Sequence, residues 1–438
     1  MNGGRTEVVE HSTCLACGCL CDDIRVVVEG GQITEAVHAC AIGRPWFLAP
    51  RPGEGCPPSN IDGEPAELSE AIAKAAEILA SAKAPVVWGL SGSTVEAVAS
   101  ALRIADAIGA VVDPSGSDDR EAKLRAFQRV GQVSSTLGEV KDRADLVVFW
   151  DVDPITTHPR HGERYSMEAR GRFALEARTI VVVGHEPSAT SARSDLCVHV
   201  PPDRRTEALV SLRAMIKGIP LDPDRVEQST GCPFESLEDL ARRLMKARYG
   251  AFFFGPSMGE GPGGDRAVEA ALSMVADLNE GRRFVALTLG SPGNSGGAES
   301  VLAWQAGAPS AIDYGRGFPR YLPDEATLAD RLDRGEVDAV LIVEGELPPA
   351  LLEKMGNVPT IRIAPGATRP GVPSSVGFDV GRPGIESGGT VARVDGVMLP
   401  LRPSIAAGLP TARGILEAIG RQIEQAGGIT SGPGRREA

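Results

Sequence analysis

Residues 85–104 read PVVWGLSGSTVEAVASALRI, an apolar run followed by a Gly/Ser turn and an amphipathic stretch. The run Pro85–Leu90 has the length and continuous hydrophobicity of a strand that is buried on both faces. Ser93 and Glu96 have the spacing of a capping box in front of apolar residues at helical intervals. The segment therefore predicts one strand–turn–helix unit, the building block of a parallel α/β sheet.

The same pattern recurs along the chain. Further apolar runs, separated by helix-like sequence, predict parallel strands at Ala110–Val112, Leu146–Trp150, Thr179–Val183, Gly250–Phe254, Phe284–Leu287 and Val337–Val343. A closing helix is predicted over Gly414–Ala426. We expect a small Cys-rich module at residues 1–58, two Rossmann-like lobes at residues 59–205 and 206–426, and a flexible tail at residues 427–438.

Composition excludes several classes of partner. The 438 residues carry 45 basic and 58 acidic side chains, a formal net charge of −13, which disfavours nucleic acid and anionic membrane surfaces. No apolar run reaches the ~18 residues that a membrane span needs. The first residues, Met1–Glu7, lack the apolar stretch of a secretory signal, so we expect a cytoplasmic protein.

The strongest chemical signal is a group of cysteines near the N-terminus. Cys14, Cys17 and Cys21 lie within eight positions, and Cys40 follows as a fourth thiolate. Four thiolates can hold a [4Fe-4S] cluster or a structural zinc ion. Because zinc sites usually contain two Cys-x2-Cys pairs and only one is present, the spacing favours the cluster over zinc, with an empty site as a third alternative. Cys19 is not expected to point to the same side as the other thiols, and it is interpreted as a packing residue.

Two weaker motifs follow predicted strands. Gly259-x-Gly261-x-x-Gly264 formally matches the dinucleotide fingerprint, but its turn is too long for the tight turn that the mechanism needs, so a connecting loop is favoured. His158-Pro-Arg-His161 places two imidazoles after a strand, and the intervening proline disfavours a helical metal pair. We expect these histidines to hydrogen-bond to a loop or a neighbouring chain.

The segment Cys14–Ile24, CLACGCLCDDI, followed by His38-Ala39-Cys40, resembles the N-terminus of the B subunit of formylmethanofuran dehydrogenase. The resemblance continues through blocks at residues 136–145, 158–166, 303–305 and 313–321 and covers most of the chain. It implies a formate-dehydrogenase-like fold, with a cluster-binding N-terminal module and two Rossmann-like lobes. In this family a separate subunit supplies the final β-barrel, so we expect no C-terminal β-barrel here.

The sequence departs from that family where the metal and its pterin would bind. Asp119 and Arg120 occupy positions at which archaeal members have a metal-ligating Cys followed by His. Gly184 and Glu186 replace an acidic residue and an Arg that suit the pterin dinucleotide. Gly290–Asn294 replaces a stretch with an Arg and a His near the metal. These degenerate positions predict that tungstopterin or molybdopterin is absent and that this chain has lost its own active site.

The closer resemblance is therefore to the B subunit of the bacterial formyltransferase/hydrolase complex of C1 oxidation. It implies a non-redox scaffold whose complex converts formyl-tetrahydromethanopterin to formate through a methanofuran-type carrier. The A, C and D subunits would be the partners, and they would bind the carrier. The alternative is an active tungsten or molybdenum formylmethanofuran dehydrogenase subunit, with Asp119 as metal ligand and a [4Fe-4S] cluster on Cys14, Cys17, Cys21 and Cys40.

Overall fold

The structure is a computed structural model that describes residues 6–115, 117–168, 171–173, 177–290, 292–323 and 325–427, without the side chains of residues 117–120 and 427. The chain forms two compact units. Unit 1 contains the described parts of Met1–Ser117, Pro292–Arg393 and Met398–Ala438, and unit 2 contains those of Asp118–Ser291 and Val394–Val397.

Unit 1 begins with a three-stranded antiparallel sheet and a short helix. These elements are β1 (Glu7–Ser12), β2 (Ile24–Glu29), β3 (Gln32–Val37) and α1 (Gly43–Leu48). Gly30 and Gly31, both with positive φ, form the two-residue turn between β2 and β3. Val26 and Phe47 are fully buried in the same small core as Cys14. The cysteines therefore sit beside a small apolar core, to which Ile385 from the last third of the chain also contributes.

The chain then enters the main sheet of unit 1. The elements up to the first crossing into unit 2 are β4 (Ser59–Ile61), β5 (Glu64–Pro65), α2 (Leu68–Ser81), β6 (Pro85–Gly89), α3 (Val95–Ile108) and β7 (Val111–Pro114). The predicted strand at residues 85–90 and the helix that follows it are confirmed. The cap differs from the prediction, because Thr94 rather than Ser93 accepts the N–H of Ala97. The Glu96 carboxylate bonds to Thr390 instead of closing a capping box.

Unit 2 alternates helices with parallel strands. Its elements are α4 (Ser117–Val130), α5 (Leu137–Arg143), β8 (Leu146–Trp150), α6 (Pro154–Thr157), β9 (Thr179–Gly184), β10 (Leu196–His199), α7 (Arg205–Ile216), α8 (Pro223–Thr230), α9 (Phe234–Lys246), β11 (Tyr249–Phe254), α10 (Gly264–Leu278) and β12 (Arg283–Thr288). A π-helical turn spans Gly162–Ser166. The five strands pair in the order β10-β9-β8-β11-β12, and every pair is parallel.

The chain returns to unit 1 for its last third. These elements are α11 (Ser295–Ala306), β13 (Ile312–Asp313), β14 (Arg320–Tyr321), α12 (Leu328–Asp333), β15 (Ala339–Val343), α13 (Pro349–Met355), β16 (Thr360–Ala364), β17 (Val376–Asp379), β18 (Gly389–Ala392), β19 (Met398–Leu401) and α14 (Ala412–Gly427). The main sheet has the order β14-β13-β7-β6-β15-β16-β17-β4-β5, and its central five strands are parallel. Helix α14 packs against α2 and α3.

The division between units differs from the predicted boundary at residues 205/206. Strands β8 to β10 belong to the same sheet as β11 and β12, because β8 pairs with β11 across that boundary. The mixed α/β class with parallel sheets is confirmed. The predicted tail begins where α14 ends, and residues 428–438 lie outside the described part. Of the helices that the structure describes, none combines the length and apolar composition needed to cross a bilayer.

Candidate functional site

The four cysteines singled out from the sequence lie together in the N-terminal module. The Cys14 N–H donates to the Cys21 carbonyl at 3.0 Å and closes the loop between them. A Cβ at Gly43 would lie 3.0 Å from the Cys14 Sγ and 3.7 Å from the Cys40 Sγ, so this glycine keeps the space beside both thiols free. Burial raises the pKa of the Cys14 thiol well above its usual value, and the nearby charges of Cys21, Cys17 and Cys40 raise it further.

The loop that carries these thiols turns sharply. Gly18 and Leu20 have φ of +74° and +45°, a region that favours glycine. Cys19 is only 1% exposed, as expected for a packing residue, and its hydrogen bonding also lowers the pKa of Cys17 to about 7. Sequence spacing did not predict this second role.

A single zinc ion needs all its donors within about 2.3 Å of one point. Within the described residues, no three His, Cys, Asp or Glu side chains converge in that way. A [4Fe-4S] cluster binds its four thiolates on different irons, so it does not require such convergence. Three thiols on the Cys14–Cys21 loop and the Cys40 thiol supply the ligand type that a cluster takes, and the identity of the bound metal stays a prediction.

Asp119 and Arg120 lie in helix α4, but their side chains are outside the described residues. Ser291, within the predicted degenerate stretch Gly290–Asn294, is also outside them. Their places beside a metal therefore stay predictions.

Asn294 is fully buried and ties three segments of unit 1 together. Its N–H donates to the Ser91 carbonyl at 2.7 Å, and its Nδ2 donates to the Ser93 carbonyl at 2.7 Å. Its Oδ1 accepts the N–H of Ala392 on β18, also at 2.7 Å. The loop that follows β6 is thus held by an amide rather than being open at the carboxyl end of the sheet. The sequence reasoning placed Asn294 in a degenerate stretch and missed this contact.

The carboxyl end of the unit 2 sheet carries a buried ion pair. Asp151, with φ of +50°, directly follows β8, and its Oδ2 accepts the Nε–H of Arg205 at 2.6 Å. The two side chains are 7% and 12% exposed. A Cβ at Gly184 would have Asp151 Oδ1 as its nearest neighbour, at 3.9 Å. The pair was not predicted, although an acidic residue directly after a buried strand is the signal that could have found Asp151.

Glu186 lies outside this ion pair. Its side chain is 79% exposed and lies 3.3 Å from the Nε2 of His185. The negative charge at the end of β9 therefore faces solvent.

The histidine motif belongs to the interior of unit 2. His161 is fully buried, its Nδ1 lies 2.8 Å from the Ser166 Oγ across the π-helical turn, and burial lowers its pKa to about 3. Its ring contacts the edges or faces of Phe149, Tyr165 and Phe253. His161 is thus a neutral core residue that hydrogen-bonds to its own loop.

The glycine motif is explained by backbone packing. A Cβ at Gly264, the first residue of α10, would lie 2.0 Å from the Gly259 carbonyl oxygen. Gly264 therefore lies close to the protein's own backbone at Gly259, as expected for a connecting loop.

The fold, with its two sheets of mainly parallel strands, defines the class of the protein. The fold is similar to that of molybdopterin-oxidoreductase-like proteins. Acetylene hydratase from Pelobacter acetylenicus superposes with a TM-score of 0.67 over 95% of this chain and 69% of that chain, at 10% identity. At that identity the likeness concerns the fold alone.

No protein-family model matches the sequence. The B subunit of tungsten-containing formylmethanofuran dehydrogenase 2 from Methanocaldococcus jannaschii is 32% identical over 434 residues, which cover 96% of this chain and 99% of the relative. The chain therefore belongs to the family of formylmethanofuran dehydrogenase B subunits.

Two further comparisons come from Methylorubrum extorquens. The B subunit of its formyltransferase/hydrolase complex is 29% identical over 338 residues, 76% of this chain and 87% of the relative. A chain in the crystal structure of that complex (FhcABCD) with methylofuran superposes with a TM-score of 0.72 at 28% identity. This match covers 85% of the present chain and 100% of that chain.

Proposed function

We propose that this chain is a non-redox scaffold subunit of a formyltransferase/hydrolase complex. The complex converts formyl-tetrahydromethanopterin to formate through a methanofuran-type carrier, and the A, C and D subunits are the partners that bind the carrier. The similarity to the B subunit of the Methylorubrum complex, whose crystal structure contains methylofuran, supports this assignment.

The observation that carries the proposal is that polar side chains at the carboxyl ends of both sheets are bonded to the protein itself. Parallel α/β sheets bind phosphate-bearing cofactors at the carboxyl ends of their strands. In unit 1 the loop after β6 is bonded to Asn294, and in unit 2 Asp151 is neutralised by Arg205. Glu186 adds a negative charge that would repel a pyrophosphate. Asn294 and Asp151 do not fit a pterin dinucleotide, because their polar groups already bond to the chain itself.

The cysteine set is a separate part of the proposal. Cys14, Cys17, Cys21 and Cys40 would hold a [4Fe-4S] cluster, a group that supplies one-electron transfer when bound. In a scaffold its contribution would be to the folding of the module. Replacing Cys14 and Cys17 by Ser is expected to lower the iron content and complex assembly, while the complexes that do assemble release formate at the normal rate. Normal assembly combined with lost formate release would contradict the scaffold role.

One observation favours the alternative, an active tungsten or molybdenum subunit. The tungsten-containing relative matches this chain over nearly its whole length. Elemental analysis of the purified intact complex separates the two functions. We expect iron without stoichiometric tungsten or molybdenum, whereas one tungsten or molybdenum per chain would overturn the scaffold assignment.

A second experiment tests Asp119 directly. In a redox subunit Asp119 would ligate the metal, so Asp119→Asn would abolish turnover. In a scaffold, Asp119→Asn and its neighbour control Asp118→Asn should release formate from formyl-tetrahydromethanopterin at the same rate as the unmodified complex. A selective loss in Asp119→Asn would favour the redox function.

A further inference from the structure

Gly43 occupies a position in the N-terminal module where the backbone itself does not require glycine. It is the first residue of α1, and it is not among the glycines with positive φ. Ala is the better helix former at such a position, because glycine loses more conformational freedom on folding. The reason for a glycine here must therefore lie in its surroundings rather than in its φ and ψ angles.

The nearest surroundings of Gly43 are two of the four thiols. An added Cβ would lie 3.0 Å from the Cys14 Sγ and 3.7 Å from the Cys40 Sγ, and only the first distance is shorter than an ordinary van der Waals contact. The next neighbour, the Ala39 Cβ, would lie at 3.8 Å and would not be disturbed. A methyl group at residue 43 would therefore press first on a thiol.

Helix α1 is held in place and cannot move away from the thiols. Phe47 is fully buried in the same core as Cys14, and the Trp46 ring packs edge-on against it with the ring centroids 4.7 Å apart. The Cys40 carbonyl also accepts the N–H of Arg44 at 2.8 Å. The sulfur atoms, rather than the helix, would therefore have to accommodate an added methyl group.

The backbone of Gly43 also bonds to one of the thiols. Its N–H donates to the Cys40 Sγ at 3.3 Å, which fixes the direction of that side chain. Cys14 and Cys17 each receive a backbone hydrogen bond as well. Hydrogen bonds to an ionised acceptor are stronger than those to a neutral one, and the thiolate is the form of cysteine that binds metals. These N–H donors therefore suit metal-bound sulfur atoms.

From the missing side chain, the fixed helix and the N–H to Sγ hydrogen bond, we propose that Gly43 is a positioning residue of the four-thiol metal centre. It leaves room for Cys14 and Cys40 to bind the same group, and its N–H stabilises the bound Cys40 thiolate. This role rests on the [4Fe-4S] cluster of the proposed function. In the metal-free chain the Cys14 side chain can turn slightly about its χ1 bond to avoid a methyl group, whereas a bound cluster holds both sulfur atoms in place. The effect of Gly43→Ala should therefore depend on the metal.

Cluster reconstitution in the full chain tests this dependence. The unmodified chain, Gly43→Ala and the control Gly281→Ala are treated anaerobically with ferrous iron and sulfide, and the iron per chain and the rate of iron release to a chelator are measured. Gly281 also lacks a positive φ, and no described atom lies within 4 Å of its added Cβ. We expect about four irons per chain in the unmodified chain and the control. Gly43→Ala should release iron about tenfold faster or more, as is usual when a group that orients metal ligands is disturbed.

The reduction potential gives a readout that a purely structural role would not change. An N–H that donates to a cluster ligand stabilises the more negative, reduced cluster and so raises its potential. A displaced Cys40 sulfur loses part of this bond, so the cluster that Gly43→Ala retains should have a lower midpoint potential in a titration followed by electron paramagnetic resonance. Gly281→Ala should keep the unmodified potential. An unchanged potential in Gly43→Ala would refute the role of the N–H, and equal iron release in the two variants would refute the role of the missing side chain.

The outcomes distinguish an error about Gly43 from an error about the cluster. If the unmodified chain binds no cluster, both the cluster and the role of Gly43 are wrong. If all three chains bind it equally well, only the role of Gly43 is wrong. Hydrogen exchange of the metal-free chains completes the test, and peptides that cover α1 should exchange within about threefold of the unmodified chain. A much larger change, or a metal-free Gly43→Ala chain that fails to fold, would assign the glycine to the packing of the apolar core and overturn the proposal.

Discussion

Replacing Asn294 by Ala should loosen the loops that close the carboxyl end of the unit 1 sheet. The substitution keeps the backbone bond to Ser91 but removes the side-chain bonds to the Ser93 carbonyl and the Ala392 N–H. Asn294 is fully buried and Ala392 is 3% exposed, so water does not replace the lost partners. The two backbone groups would be left unsatisfied in the interior.

The magnitude follows from those two groups. An unsatisfied buried polar group costs about 1–3 kcal/mol, and two of them that partly relax together give about 2–4 kcal/mol. At about 1.4 kcal/mol per factor of ten, this corresponds to a roughly 30- to 700-fold increase in local opening. The effect should be largest at β18, which receives the bond through Ala392.

Amide hydrogen exchange followed by mass spectrometry measures this opening in the folded chain. Peptides that cover β18 should lose protection by the stated factor, while peptides from the unit 2 strand β11 should exchange as before. The control is Asn357→Ala, which makes the same change at an exposed turn. Protection at β18 within about threefold of the unmodified protein, a difference below 1 kcal/mol, would refute the view that Asn294 closes this loop.

Three further perturbations test buried ionisable groups. Burial raises the pKa of Glu344 from 4.5 to about 8, so the folded state holds its proton more tightly, and stability should fall as pH rises from about 4.5 through 8. Glu344→Gln should remove that slope, worth at most about 5 kcal/mol, and equal slopes in urea unfolding at pH 5 to 9 would contradict it. Arg178 is 9% exposed and its guanidinium donates to four backbone carbonyls. Arg178→Lys should cost about 2–3 kcal/mol in urea unfolding, whereas the exposed control Arg172→Lys should cost little; equal costs would exclude this role. Arg205→Met leaves Asp151 buried without its cation, so unit 2 should lose about 3 kcal/mol at pH 7. The loss should shrink at pH 4, because burial raises the pKa of Asp151 and it can then take up a proton. A loss independent of pH would assign the effect to packing.

Local patterns predicted the strands well. Leu146–Trp150 coincides with β8, and Pro85–Leu90 exceeds β6 by one residue. Both strands are buried on both faces, which requires an unbroken apolar run. That requirement is a property of neighbouring residues and can be read without knowing the partners of the strand.

The candidate site was predictable in part. The Cys14, Cys17 and Cys21 spacing places three thiols on one short loop, and the β2–β3 hairpin brings Cys40 back to the same place. The helix cap was assigned to Ser93 because spacing alone cannot distinguish it from Thr94. The choice depends on Thr390, almost 300 residues away, which draws the Glu96 carboxylate out of the capping box.

By itself, the sequence determined the α/β class, the position of the parallel strands and the close thiols, because each depends on residues a few positions apart. Only the tertiary structure decided that β15 lies beside β6, that β8 to β12 form one sheet, and that Arg205 and Asn294 occupy the sheet ends. The side-chain contacts of Arg205 and Asn294 join residues 54 to 201 positions apart in the chain. Their free energy depends on which surfaces meet when the sheets assemble, and no local pattern encodes that.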